Sequence, residues 1–93
     1  MTTTYDQVSM TAAAAIIIAS NANRKQLMIK NTGSDTVYIG DANTVVDTAD
    51  NANGGYKITL DQILYLDDYT GDVYGICAAG ETATIAIVEE DMS

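Results

Sequence analysis

The chain has no histidine, phenylalanine or tryptophan, a single cysteine and only four basic residues among its 93. Each shortage removes a class of function. Without histidine, and with Cys77 alone, no zinc or copper ligand set can be assembled. No serine or cysteine nucleophile has an imidazole base, and a serine–lysine pair would depend on one of three lysines. The chain is therefore expected not to be an enzyme and to carry no cofactor or metal. An intrachain disulfide is impossible. Cys77 sits in the apolar stretch Val73–Ala78 and reads as a small buried hydrophobe, since no nearby base lowers its pKa. Thirteen acids face Arg24, Lys25, Lys30 and Lys57, for a net charge of −9. That balance leaves no basic footprint for nucleic acid and repels anionic membranes. The expected partner is protein.

The missing aromatics also bound the interior. Thirteen alanines inflate an apolar content of 47%, so the core must come from ten Ile, six Val and four Leu with part of the six Tyr. A domain of this size buries only about 60–65% of the surface its unfolded chain exposes. A thin aliphatic core in so small a domain is commonly supplemented by disulfides, metal or association. With the first two excluded, association is expected. The apolar run Ala12–Ala19 follows Asp6 and no base, which does not fit a signal peptide. Its eight residues are far short of the roughly 20 that span a bilayer. The chain reads as a soluble protein made in a reducing cytoplasm.

What is present is strand chemistry. Leu27–Gly40 reads as strand, polar turn and strand, with Leu27 and Ile29 on one face and Val37 and Ile39 on another. The five-residue turn Asn31–Asp35 predicts a hairpin. A shortened echo, Tyr69–Ile76, repeats Thr-Gly, Asp and Val-Tyr in the same order. Further strands are expected over Thr11–Ser20, Thr44–Asp47, Tyr56–Leu60 and Gln62–Leu66. Val73–Ala79 is expected to pair with Thr82–Glu89, and the acidic Glu89–Asp91 to end the fold. About eight short strands with regular turn signals and no helix predict an all-β antiparallel sandwich, jelly-roll-like. The expected organisation is an extended N-terminal arm over residues 1–10 and one sandwich domain over 11–93.

Three groups of residues invite functional readings. Asp41, Asp47, Asp50, Asn51 and Asn53 in the 41–55 loop, and Asp67, Asp68 and Asp72, could supply oxygen ligands to calcium. Their spacing does not match an EF-hand, and Asn, Asp and Gly are ordinary loop residues. Tyr56 and Tyr69, near loops, suit a carbohydrate-binding module. Tyr5, Val8 and Met10 in the Thr-rich arm are a candidate inter-subunit contact, because an arm can add as a strand to a neighbour's sheet edge.

Taken together, Ala22–Gly33, Val37–Gly40, Tyr69–Tyr74 and Thr84–Glu89 resemble the small virion structural proteins of tailed bacteriophages, in particular head-decoration or capsid cement proteins. The likeness runs over roughly residues 12–89, and its motifs are structural rather than catalytic. It implies a protein on the outer surface of the capsid that bridges major capsid protein subunits, with Tyr5, Val8 and Met10 of the arm as the candidate capsid or inter-subunit contact, and that works as a homo-oligomer, a trimer being favoured. The alternatives are a fibre or tail module binding host carbohydrate, and a low-copy head–tail connector or tail-completion protein.

Overall fold

The computed structural model describes residues 2–42, 45 and 55–92. Among them, eight strands follow in order: β1 (Thr2–Met10), β2 (Ala15–Ile18), β3 (Arg24–Asn31), β4 (Val37–Gly40), β5 (Tyr56–Ile58), β6 (Ile63–Asp67), β7 (Val73–Cys77) and β8 (Ala83–Asp91). They form two four-stranded antiparallel sheets, ordered β1-β8-β3-β6 and β2-β7-β4-β5. Strands β1 to β4 pair in turn with β8, β7, β6 and β5. This is one long antiparallel ribbon, rolled so that alternate rungs fall in opposite sheets, which is the jelly-roll arrangement. The all-β sandwich expected from the strand pattern is the fold.

Burial alternates along the strands with a period of two, as a sheet packed on one face requires. In β8 every second residue from Ala83 to Asp91 is buried, β4 and β7 follow the same rule, and β3 follows it from Leu27 onward, beyond a register shift between Arg24 and Gln26. The interior is aliphatic, built on Met10, Leu27, Ile29, Val37, Ile58 and Ile85, with Cys77 among them and no aromatic fully enclosed. Gly75 makes room for this packing. A Cβ there would lie 2.8 Å from the Met10 sulfur and 2.9 Å from Ile17 Cδ1. Gly80, at φ +80°, supplies the left-handed residue in the connection between β7 and β8.

Four expectations need correction. The predicted hairpin around Asn31–Asp35 is not one, because β3 lies in the first sheet and β4 in the second. Its five-residue connection spans the roughly 10 Å between packed sheets, and the apolar faces of the two strands meet across the core. For the same reason β7 and β8 are not partners. The segment expected as an arm is extended, but it is paired over Thr2–Met10 with β8 in an unbroken register and belongs to the sandwich. The expected strand over Thr11–Ser20 is confined to Ala15–Ile18. The one expected over Thr44–Asp47 lies outside the described residues, apart from Val45.

Candidate interaction surface

Opposed residues in an antiparallel sheet point the same way, so the register determines what each outer face displays. On the first sheet Tyr5 lies opposite Val88, Val88 opposite Met28, and Met28 opposite Tyr65. These four side chains form one row across all four strands, on the face turned away from the core. Tyr5 is 74% exposed and Tyr65 57%, with Val88 and Met28 half-buried between them. In the next row Gln7, Ala86, Lys30 and Ile63 are aligned in the same way. The second sheet shows shorter rows, Ile16 with Tyr74 and Gly40, then Ile76 with Tyr38 and Lys57. The echoed strands β4 and β7 are thus neighbours in one sheet.

The three candidate contact residues of β1 do not share a surface. Tyr5 is exposed on the outer face. Val8 is half-buried and packs against the core, and Met10 is fully buried within it. Alternation separates them, because positions 8 and 10 point inward while position 5 points outward. Of the three, Tyr5 alone presents a large apolar surface to solvent.

A cleft of 280 Å³ opens where the β5 and β6 edges of the two sheets meet. Tyr56 and Tyr69 both line it, with Ile39, Leu64, Leu66 and Val73, and Asp41 is the one charged side chain among the described residues that do so. The Tyr69 hydroxyl is committed, donating to the Asp72 carbonyl at 2.7 Å. Burial, then the nearby carboxylates of Asp41 and Asp72, pushes its pKa above the usual phenol value. Sugar recognition depends on several convergent polar groups, and this lining supplies few. Cys77 is 1% exposed, and its thiol is likewise pushed up by burial and by Asp35 and Glu81.

The acids of the 67–72 turn serve the fold. Asp67 accepts from Gln26 Nε2 at 2.9 Å, Asp68 pairs with Lys25 Nζ at 3.2 Å, and Asp72 accepts from the Ser20 amide at 2.7 Å. Among the described residues no three metal-binding side chains converge. Asp47, Asp50, Asn51 and Asn53 lie outside them.

Two buried polar residues carry more of the structure than their motif suggests. Arg24, on β3, is 1% exposed. Its Nε donates to Glu89 at 2.8 Å, Nη1 to the carbonyls of Tyr69 and Gly71, and Nη2 to that of Ala19 at 2.6 Å. Asn21 Nδ2 donates to Asp91 at 3.1 Å beside it. At the other end of β3, Asn31 donates to the Asp35 and Ile58 carbonyls and accepts from the Gly33 amide. The acidic Glu89–Asp91 therefore continues β8 rather than trailing from it, with Glu89 and Asp91 buried. The usable signal was the alternation of Ile85, Ile87, Glu89 and Asp91, in phase with the core.

No protein-family model and no curated protein matches the chain. Among solved structures, a chain from Bacillus endospore appendages, described as a family of disulfide-linked pili, matches over 99% of this chain and 90% of its own length. The two are 20% identical with a TM-score of 0.45, a likeness too slight to bear on function.

Proposed function

We propose that the chain is a non-enzymatic structural protein of a tailed-phage virion, a cement that binds the outside of the capsid and bridges major capsid protein subunits. The observation that supports this reading is the apolar row Tyr5–Val88–Met28–Tyr65, which crosses the whole outer face of the first sheet. An apolar row of this extent on a strongly acidic small domain suits a protein-facing surface. The net charge of −9 keeps the domain soluble at high local concentration and away from nucleic acid. Many copies, each holding adjacent subunits with modest affinity, would resist internal pressure through multivalency.

The test is addition of the purified protein to capsids that lack it. Wild type should bind in many copies per particle and raise the temperature at which the capsid releases DNA. Met28→Glu should bind at least about tenfold more weakly, since it places an unpaired charge at the centre of a buried contact. Its unfolding midpoint should stay close to wild type because Met28 points outward. Binding confined to a few copies at one vertex would replace the cement reading with the connector. No binding would remove both.

A further inference from the structure

A two-sheet sandwich has four edge strands, and three of them here are protected. β5 has three residues, β2 has four with a register break between Ile16 and Ile18, and β6 has five. β6 is also flanked by Asp61 and Asp68 in left-handed conformations, φ 65° and 60°. Short length, irregularity and charge are the usual devices that keep an edge from pairing with another chain. β1 is neither short nor irregular. It runs nine residues, keeps nine consecutive pairs with β8, contains no proline, and carries Asp6 as its one charge. Its Thr, Tyr and Val content favours strand. From Thr3 to Gln7 it is exposed on both faces, so the second sheet does not reach over this half and the edge is open to a partner.

We propose that two copies of this chain join through β1, antiparallel about a two-fold axis at Tyr5, so that two four-stranded sheets become one of eight strands. Among axes that pair at least seven residues of β1, three constraints select the register. Outward residues must meet outward residues, so the axis passes through a residue. An axis at Asp6 sets the two Asp6 carboxylates directly opposite each other, which is unfavourable. An axis at Gln7 sets Val8 against the charge of Asp6 and moves Tyr5 opposite Ser9. An axis at Tyr5 places Asp6 opposite Thr4, Gln7 opposite Thr3, and the two Tyr5 rings together. The row Tyr65–Met28–Val88–Tyr5 then continues without interruption into the same row of the second copy. Such a contact is isologous and closes at two copies, in contrast to the threefold assembly that the phage resemblance implies. It belongs to the free protein and stands apart from capsid binding.

The experiment uses the free protein. Sedimentation equilibrium should give twice the 9.8 kDa chain mass at high concentration. Tyr5→Lys puts like charges opposite each other and removes the ring pair, and should weaken dimerisation about tenfold or more with thermal unfolding of the monomer unchanged. Tyr5→Cys should form an interchain disulfide under mild oxidation, because the two thiols face each other across the axis. Asp6→Cys, opposite Thr4, should not. Cys77, buried in the core, does not compete. A chain that stays monomeric at high concentration, with neither cysteine cross-linking, overturns the proposal. A trimer, or cross-linking through Asp6→Cys in preference, overturns it as well.

Discussion

The two edges of the first sheet are held in opposite ways. β6 is fixed at both ends by buried polar side chains of its neighbour β3. Arg24 grips the Tyr69 and Gly71 carbonyls just beyond β6, and Asn31 grips the Ile58 carbonyl ahead of it. Closer to the strand, Asp61 and Asp68 each donate a backbone amide to β3 at 2.7 Å and pair with Lys30 and Lys25. β1 has its ladder with β8 and the buried Met10 at one end. The difference separates two uses of a strand. An edge locked at each end completes a fold, whereas a long regular edge anchored at one end is available for recognition.

The largest change should come from breaking the β6 side at Arg24. Arg24→Met leaves Glu89 buried without its cationic partner and releases three carbonyls, so a loss of about 3–5 kcal/mol is expected in denaturant unfolding. Replacing Glu89 by Leu in the same chain should recover much of it. A loss under about 1 kcal/mol would show that the ends of β6 are held by other means.

On the β1 side, Met10→Ala should cost about 3 kcal/mol by opening a cavity beside Gly75. Tyr5→Ser should change the monomer by no more than about 0.5 kcal/mol. That contrast, read from unfolding midpoints, sharpens the division of β1 into a buried and an exposed half. Equal costs at the two positions would dissolve it. Asn31→Ala, back on the β6 side, should cost about 2 kcal/mol, because buried partners in the adjoining loops lose their hydrogen bonds.

Alkaline pH tests the core beneath both edges. Tyr69 and Cys77 hold their protons more tightly folded than at their ordinary values of 10.0 and 9.0, chiefly through burial. Their contribution is therefore complete below the unfolded values and is lost as pH rises through the higher folded ones. The denaturant midpoint should be insensitive to these two groups from neutral pH to about 9 and decline beyond it. Native Cys77 should resist iodoacetamide over the same range. A small effect is also expected of Asp61→Gly and Asp68→Gly, each within about 1 kcal/mol of wild type. Glycine relieves the left-handed backbone but loosens the unfolded chain and removes a surface ion pair.

Much of the strand pattern was legible because it is local. Leu27 and Ile29, Val37 and Ile39, and Ile85 and Ile87 announce inward faces through period-two spacing, and all six are core residues. The contact row was not legible, since Tyr5, Val88, Met28 and Tyr65 are far apart in the chain and meet through register alone. Arg24 was hidden for a related reason. A lone arginine among acids resembles a surface residue until Glu89 and two loops close over it.

The sequence by itself determined an all-β sandwich, an aliphatic interior and the alternating faces of its strands, because these follow from residue type and spacing along a few neighbouring positions. Only the tertiary structure decided which strands pair. β3 and β4, and β7 and β8, adjoin in sequence yet lie in opposite sheets. The roll places their apolar faces against one another across a shared core, and partner choice depends on covering that core from both sides.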